Sequence, residues 1–185
     1  MDRTARAWQI LESAELIHSA AAVDAAIVRV AAEISARLKD QYPLVLSVMG
    51  GAVVFTGRVL PLLGFPLDFD YIHATRYGAA SSGGQVDWKV EPKGNVAGRV
   101  VLVLDDILDI GDTMHAIRER VLGLGARAFY CGVLTDKHKT AAKPIRADFV
   151  GLSLPDRYVF GCGMDAHGAW RNLPAIYALR QDAAA

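Results

Sequence analysis

The sequence predicts an α/β protein with a central, mostly parallel β-sheet flanked by helices. Short and wholly apolar segments such as LVLSV (44–48) and VVLVL (100–104) alternate with segments whose apolar residues recur every three or four positions. Wholly apolar strands are typical of parallel sheets that are buried on both faces, and the alternation is typical of βαβ units. The 185 residues are enough for one domain with a full core, so we expect a single domain over 1–185.

The first part of the chain contains two predicted helices and two predicted strands. A stripe of apolar residues at helical spacing predicts the first helix, and it consists of Val23, Ile27, Val30, Ile34 and Leu38. Strand 44–48 follows, and residues 52–63 predict a second helix that stops at a glycine. Residues 67–72, LDFDYI, alternate polar and apolar side chains, which indicates a strand with one wetter face.

The second part begins with residues 73–99, whose glycines, serines and prolines predict a long, flexible loop. Loops of this length in a compact domain are usually functional covers or disordered. Strand 100–104 comes next, followed by a helix with the apolar stripe Met114, Ile117, Val121 and Leu124. The remaining predicted strands are FYCGVL (129–134), DFVGL (148–152) and YVF (158–160). Ligands of open parallel sheets bind beyond the carboxyl ends of the strands, so we expect chemistry in the loops that follow them.

Composition narrows the classes of function. Lysine plus arginine and aspartate plus glutamate both number 20, so no global charge favours nucleic acid or a membrane surface. No apolar run approaches the roughly 20 residues that span a bilayer, and the N-terminus does not resemble a signal peptide. Cys131 and Cys162 lie outside any metal-ligand spacing, which predicts buried, reduced thiols. We therefore expect a cytoplasmic protein that binds neither nucleic acid nor membranes.

An acidic segment follows the second apolar strand. Asp105, Asp106 and Asp109 lie at the carboxyl end of that strand, and Asp112-Thr113 lies where the next helix begins. One interpretation is that Asp112 caps the helix while the other acids are solvated. The other is that the N–H groups from Ile110 to Thr113 bind a phosphate, because a helix start is an anion site. The second interpretation also uses the remaining acids, since carboxylates accept hydrogen bonds from sugar hydroxyls. The segment therefore favours a sugar phosphate as ligand.

Two other phosphate-binding patterns are missing from the sequence. It contains no Gly-x-x-x-x-Gly-Lys-Ser/Thr segment, which argues against a P-loop nucleotidase, and no Gly-x-Gly-x-x-Gly after a strand, which argues against a dinucleotide fold. Instead, VVLVLDDILDIGDT (100–113) resembles the phosphoribosyl pyrophosphate (PRPP) signature of type I phosphoribosyltransferases. That signature is an apolar run, two acids, two apolar residues, Asp, any residue, Gly, any residue and Thr. Ile110 departs from it, because the family more often has a small or polar residue there.

The resemblance implies the type I phosphoribosyltransferase fold, with a core over about 40–155. A small hood would be built from the N-terminal helix and the C-terminal segment of about 156–185. It implies that Asp105 and Asp106 hold the ribose hydroxyls of PRPP and that Asp109 takes a proton from the base. The 5-phosphate would be bound by Ile110, Gly111, Asp112 and Thr113.

The segment DFVGLSLPDRYVFGCGMDAHGAWRNLP (148–174) resembles the hypoxanthine-guanine branch of this family. On this resemblance Tyr158 stacks on the purine, backbone groups near Val159 read its edge, and Arg171 reaches the pyrophosphate. Asp165 would help hold Mg²⁺ together with PRPP oxygens, with Asp105 and Asp106 as further candidate ligands. The alternative for Tyr158 is an ordinary core residue.

Lys137, in TDKHK (135–139), stands where the purine-salvage enzymes carry a lysine that contacts the 6-oxo group of the base. The alternative for Lys137 is a solvated charge. A pyrimidine enzyme should lack the combination of Lys137 with Tyr158 and Val159, whereas a xanthine enzyme would differ only at the 2-position of the base.

Two further segments match the family with departures. SVMGGAVVF (47–55) occupies the position of the pyrophosphate loop, which often reads Leu-Lys-Gly-Gly; Gly50 and Gly51 match, but Met49 replaces the lysine. This change would leave more of the leaving-group charge to Mg²⁺ and Arg171. Arg76-Tyr77, at the start of 73–99, resembles the mobile flap that usually begins with Ser-Tyr. Such a lid would close to exclude water from the reaction.

The resemblance thus implies a purine-salvage enzyme that joins a 6-oxopurine to C1 of PRPP and releases pyrophosphate. Hypoxanthine or guanine, or both, would be the bases and Mg²⁺ the cofactor, and no serine or cysteine nucleophile is needed, so Cys162 is not a catalytic candidate. A xanthine-preferring enzyme and a regulatory PRPP or nucleotide binder on the same fold remain alternatives. The family also implies a homodimer or homotetramer.

Overall fold

The computed structural model describes residues 2–76, 86–92 and 94–180. Its helices and strands follow one another in two groups. The elements are α1 (Arg3–Ser13), β1 (Glu15–His18), α2 (Ala20–Leu38), β2 (Leu44–Val48), α3 (Val53–Val59), β3 (Asp68–Arg76), β4 (Val86–Val90), β5 (Val100–Leu108), α4 (Asp112–Gly123), β6 (Ala128–Lys137), β7 (Phe149–Leu154), β8 (Val159–Phe160) and β9 (Ile176–Ala178). Single 3-10 turns lie at Leu60–Leu62 and Gly94–Val96.

A six-stranded sheet with the order β4-β3-β2-β5-β6-β7 forms the centre of the molecule. The five strands from β3 to β7 in that order are parallel, and β4 pairs antiparallel with β3 at one edge. Every residue of β2 is buried, as are the first five residues of β5. The α/β class and the mostly parallel sheet that the sequence predicts are confirmed.

Two apolar layers cover the sheet. On one face, α2 and α3 pack on side chains that include Val45, Leu102 and Leu134. On the other face, α4 packs on side chains that include Leu46 and Val103. The apolar stripe of α2 lies wholly in the first layer. This helix, which was predicted to help build the hood, packs against the large sheet because its stripe continues the apolar surface of the strands, and the same layer contains Val159, Ile176 and Ala178 of the C-terminal segment.

Both ends of the chain meet in a second, three-stranded sheet with the order β1-β9-β8, in which all pairs are antiparallel. Helix α1 joins the segment between β8 and β9 through Trp8 and Trp170, whose rings meet edge to face at 5.0 Å. The indole N–H of Trp170 also donates to the carbonyl of Ala7 at 2.7 Å. Helix α1 and strands β1 and β9 were not predicted, and the division into core and hood stays a prediction.

The segment predicted as one loop, 73–99, contains regular structure at both ends. Residues 73–76 complete β3, residues 86–90 form β4, and a 3-10 turn follows at Gly94–Val96. The two strands pair antiparallel, with Ala74 opposite Trp88, which the Gly/Ser composition of the intervening residues concealed. Tyr77 and the predicted lid up to residue 85 lie outside the described residues.

Two further boundaries differ from the prediction. The predicted helix 52–63 is α3 followed by a 3-10 turn, where Pro61 cannot donate a helical hydrogen bond. The predicted strand 100–104 continues to Leu108, because Asp105, Ile107 and Leu108 pair with β6. The first two acids therefore belong to the strand itself.

Cys131 and Cys162 are free and buried, as predicted. Burial raises the pKa of both thiols, that of Cys162 to about 11, so neither forms a nucleophilic thiolate at neutral pH. Among the described ranges, no helix is both long and apolar enough to cross a membrane.

Candidate active site

A cavity of about 330 Å³ opens beyond the carboxyl ends of β2 and β5. This is the edge of the sheet at which parallel α/β proteins bind their ligands. The structure brings most of the predicted site residues together there. Those that line the cavity are Met49, Gly51, Asp105, Asp106, Asp109, Ile110, Gly111, Asp112, Thr113 and Arg171.

The acid pair Asp105-Asp106 lines the cavity from the C-terminal half of β5. The N–H of Asp106 donates to Asp105 Oδ1 at 2.9 Å, and the Thr135 hydroxyl donates to the carbonyl of Asp106 at 2.9 Å. Burial raises the pKa of Asp105 well above its ordinary value, and the adjacent Asp106 charge raises it further. Burial also raises the pKa of Asp106, although Asp105 and Arg171 partly offset the effect. The pair therefore holds a proton more tightly than exposed carboxyls do.

The phosphate turn follows the strand and leads into α4. Gly111 is the residue before the helix and has φ +97°, a conformation that favours glycine. A Cβ at Gly111 would also approach Pro144 and Ile145 at 3.4 and 3.5 Å, so the segment after β6 packs against the turn. The first N–H groups of a helix have no carbonyl partner within it and carry the positive end of its dipole. A turn of this kind at a helix start can bind an anion, and the phosphate site predicted from the sequence stays a prediction.

Asp109 lies at the mouth of the cavity between two lysines. Its Oδ2 lies 2.9 Å from Nζ of Lys137, and its Oδ1 lies 3.0 Å from Nζ of Lys139. Desolvation alone would raise the pKa of Asp109, but the hydrogen bonds and charges of the two lysines outweigh it and lower the pKa below the ordinary value. Asp109 is therefore ionised at neutral pH, and Lys137 is an ion-paired site residue rather than a solvated charge.

Arg171 enters the cavity from the segment that follows β8. Its guanidinium donates to the carbonyl of Gly163 at 2.6 Å and lies 2.5 Å from Asp165 Oδ1. Asp165 also accepts a hydrogen bond from the N–H of Gly168 at 2.6 Å. Arg171 therefore carries a positive charge into the cavity, and Asp165 is tied to it rather than lining the cavity itself.

Two glycines allow this segment to approach the acid pair. A Cβ at Gly51 would lie 1.9 Å from Asp106 Oδ2, and a Cβ at Gly163 would lie 1.9 Å from the carbonyl oxygen of Gly51. Gly51 was predicted from the pyrophosphate-loop pattern, whereas Gly163 was not. Its sequence signal, Gly-Cys-Gly before an acid, is too common to single out a contact between distant segments.

Lys139 is the second site residue that the prediction did not include. It stands two positions after Lys137, and side chains two positions apart along a strand lie on the same side. This spacing could have indicated that both lysines reach Asp109. Lys139 was overlooked because TDKHK also fits an exposed, charged strand end.

Some predicted residues do not line the cavity. Gly50 follows Met49 through a cis peptide bond. The ring of Tyr158 is 49% exposed and stacks on His167 with centroids 5.9 Å apart, which excludes the core interpretation. Val159 is buried in the small sheet, where it pairs with Ala178. Arg76 ends β3, and Tyr77 lies outside the described residues.

Fold and site together define an α/β protein with a cavity beyond the ends of its parallel strands, lined by an acid pair and a helix-start turn. The family model described as the phosphoribosyl transferase domain matches residues 13–167. The chain therefore belongs to the phosphoribosyltransferase family.

Individual relatives point to one branch of this family. The chain is 34% identical over 152 residues to a hypoxanthine-guanine-xanthine phosphoribosyltransferase of Tritrichomonas foetus, covering 82% of this chain and 83% of the relative. It is 32% identical over 150 residues to a hypoxanthine-guanine phosphoribosyltransferase of Bacillus subtilis, covering 80% and 83%. A solved hypoxanthine-guanine phosphoribosyltransferase of Bacillus anthracis is 25% identical, with a TM-score of 0.84 and coverage of 90% and 98%.

Proposed function

We propose that this protein is a purine-salvage phosphoribosyltransferase. It transfers the 5-phosphoribosyl group of PRPP to hypoxanthine, guanine or both, which gives IMP or GMP and pyrophosphate. The observation that carries the proposal is one cavity lined by an acid pair, a helix-start turn and Asp109, whose carboxylate is ion-paired with Lys137. The names of the relatives in Tritrichomonas foetus and Bacillus subtilis support the choice of base.

The sugar phosphate is held by the inner part of the cavity. Asp105 and Asp106 accept hydrogen bonds from the ribose hydroxyls. The N–H groups from Ile110 to Thr113, with the Thr113 hydroxyl, bind the 5-phosphate. The reacting C1 is thereby fixed near the carboxylates, and positioning of this kind supplies much of the catalysis when two substrates must meet.

The base reacts at the mouth of the cavity. Purine N9 forms a bond to C1 while the bond from C1 to the pyrophosphate oxygen breaks, and the bonding electron pair leaves with pyrophosphate. Asp109 accepts the proton from purine N7, a general-base role for which its ionised state is suited. Lys137 donates to the 6-oxo group of the base, and charge that develops on the ribose faces the nearby carboxylates.

The purine is bound by the segment around β8. Tyr158 presents an exposed ring on which a planar base can stack, a contact worth on the order of 1–3 kcal/mol in other stacked-base sites. Backbone groups near Val159 bind the edge of the base. These assignments require Tyr158 and Lys137 to contact the same base. Asp156, two positions before Tyr158, pairs with Lys139, and Lys139 and Lys137 both contact Asp109.

The pyrophosphate is bound by Arg171 and by N–H groups of Gly50 and Gly51, with Met49 beside them. The residues present fit Mg²⁺ bound through the substrate. No group of three His, Cys, Asp or Glu side chains able to hold a metal ion occurs within the described part of the chain. Mg²⁺ commonly uses one or two carboxylates together with phosphate oxygens and water. Asp105 and Asp106 line the cavity and could supply them, and Asp165 would hold the ion once the pyrophosphate draws Arg171 away from it. When bound, it neutralises charge on the pyrophosphate.

A spectrophotometric assay with PRPP, Mg²⁺ and a single base tests the proposal. We expect nucleotide formation with hypoxanthine or guanine and none with uracil. Xanthine is the informative fourth base, since the Tritrichomonas foetus relative is named for all three purines. Turnover of xanthine alone would replace the proposed specificity, and no product from any base would favour the regulatory binder.

We also propose that the protein assembles as a homodimer or homotetramer and acts in the cytoplasm. Strand β3 presents the half-exposed rings of Phe69 and Tyr71 at alternate positions, so both lie on one face near the sheet edge. A second copy would bury this apolar surface. Sedimentation equilibrium checks the assembly, and a single species of 19.9 kDa at all concentrations would contradict it.

A further inference from the structure

Lys139 is a charged residue that contacts Asp109 and for which the reaction above has no role. Lys137 contacts Oδ2 of Asp109 at 2.9 Å, whereas Lys139 contacts Oδ1 at 3.0 Å. The two ammonium groups therefore engage different oxygens of one carboxylate. Lys139 also contacts Asp156 Oδ1 at 2.6 Å. It thus links the loop that carries Asp109 to the segment just before Tyr158.

The two lysines have different partners once a purine arrives. Lys137 is the group that donates to the 6-oxo oxygen, and in doing so it weakens its contact with Oδ2 of Asp109. Lys139 also pairs with Asp156, and no group of the purine competes with Asp109 for its ammonium group. The side chains of Lys139, Asp109 and Asp156 are 22%, 43% and 59% exposed, so solvent partly screens both ion pairs of the bridge.

We propose that Lys139 is a positioning residue that holds Asp109 by Oδ1 and leaves Oδ2 to accept the purine N7 proton when Lys137 turns to the base. The inference rests on the proposed function and assigns Lys139 no contact with either substrate. The charged groups that contact Asp109 are Lys137 and Lys139, and Asp156 contacts Lys139. On the adjoining side, Lys143 donates to the carbonyl of Leu108 at 2.6 Å and pairs with Asp136.

The test compares Lys139→Met with Lys139→Arg in the full chain. We expect Lys139→Met to lower kcat about tenfold or more, because a misplaced reacting group is costly, and to change KM for hypoxanthine less than twofold. Loss of the Lys139 charge and hydrogen bond should raise the pKa of Asp109, so the acid limb of kcat/KM should move to higher pH. Lys139→Arg should restore both readouts, since an arginine can still bridge Asp109 and Asp156.

Three further variants separate positioning from other effects. Lys137→Ala should instead raise KM for the base, because that lysine contacts the purine. Asp156→Asn removes the second ion-pair partner of Lys139 and leaves the lysine in place. It should change kcat and the acid limb of kcat/KM in the same direction as Lys139→Met, by a smaller amount. Lys39→Met, at the exposed end of α2, serves as the matched control.

The outcomes distinguish a failure of the positioning role of Lys139 from a failure of the proposed function. If the wild type is active and Lys139→Met has the same kcat and the same acid limb of kcat/KM, the positioning role is overturned. A change confined to KM would also overturn it. If Lys139→Met does not fold, the same readouts in Asp156→Asn decide. A wild type that is inactive with every base overturns the proposed function, and this inference with it.

Discussion

The surroundings of neighbouring carboxyls in the site shift their pKa values in opposite directions. Asp105 and Asp106 end a buried strand, where desolvation raises their pKa values. Asp109, three positions later, has left the strand and lies against two lysines that lower its pKa. Separate environments for acids in one site commonly assign them separate tasks. Here they suit the first two for binding hydroxyls and the third for accepting a proton.

The first prediction concerns Asp109→Asn. The amide keeps the size of the side chain and cannot accept the purine proton, so kcat should fall by roughly 10²–10⁴, the usual contribution of a general base. KM for PRPP should change only a few-fold, because the proposal assigns the ribose hydroxyls to Asp105 and Asp106. Steady-state kinetics with both substrates measures the two constants, with exposed Asp40→Asn as control. Equal losses in kcat and in PRPP affinity would contradict the base assignment.

The sequence indicated residues whose signal is local and missed those whose signal is spatial. The three acids and the turn to Thr113 follow one another along one strand and helix start, so their chemistry could be inferred from their order. Lys139 and Gly163 act through Asp109 and Gly51, from which they are separated by 30 or more positions in the chain. Contacts between such distant segments depend on the packing of the folded chain and leave no periodic pattern.

At the scale of elements, the site depends on the contact between the loop after β2 and the segment after β8. The N–H of Gly163 donates a hydrogen bond to the carbonyl of Arg171 at 2.8 Å, and its Cα packs against Gly51 beside the acid pair.

Sequence periodicity identified the helices and strands of the large sheet because each has its own apolar pattern. It missed α1, β1 and β9, whose short segments are ordered by pairing between the two ends of the chain.

Gly163→Ala tests this contact. Gly163 has φ +104°, and the added Cβ would lie 1.9 Å from the backbone oxygen of Gly51, so neither strain nor overlap can be relieved by a side-chain rotation. We expect a loss of about 1–3 kcal/mol in the free energy of unfolding, together with weaker PRPP binding. Urea denaturation measures the former. Gly123→Ala, where a Cβ meets nothing within 4 Å, is the matched control. Equal stabilities of the two variants would contradict the prediction.

Met49→Lys tests the pyrophosphate loop. Met49 lines the cavity in which Arg171 is the one cationic side chain of the described lining. A lysine there would add a charge beside the leaving group, so pyrophosphate should inhibit roughly two- to fivefold more strongly, as expected for a partly exposed ion pair. Product-inhibition kinetics gives the constant, with Met49→Leu as the neutral control. Unchanged inhibition by Met49→Lys would mean that position 49 does not reach pyrophosphate.

At the scale of the whole molecule, stability is reduced where the ligand binds. Burying two adjacent carboxyls is unfavourable when both are charged, and Arg171 only partly offsets the cost for Asp106. The sheet must supply this free energy through its two apolar layers. Binding of PRPP supplies hydroxyl donors to the same carboxylates, so the ligand should stabilise the fold, by an amount that grows with the ratio of PRPP concentration to Kd.

Asp105→Asn makes this relation measurable through pH. Because the folded-state pKa of Asp105 is raised, the folded protein binds its proton more tightly than the unfolded chain does, so stability is lost as pH rises from about 4 through the folded pKa. Asparagine keeps the acceptor for the N–H of Asp106 and never ionises. Without PRPP and Mg²⁺, the variant should therefore resemble wild type near pH 4 and become increasingly more stable above it, by up to about 1.4 kcal/mol per pH unit until the folded pKa is reached.

Urea denaturation of both proteins at pH 4.5, 6, 7 and 8 gives the difference, and isothermal titration of PRPP into the same samples gives the cost to function. We expect the stabilised variant to bind PRPP more weakly than wild type once the pH exceeds the folded pKa of Asp105, because a neutral amide is a poorer acceptor for the ribose hydroxyls than a carboxylate. For wild type, PRPP affinity should rise with pH as the acid pair ionises. A stability difference that does not change with pH would show that Asp105 keeps an ordinary pKa, and the acid pair would then be accommodated without strain on the fold.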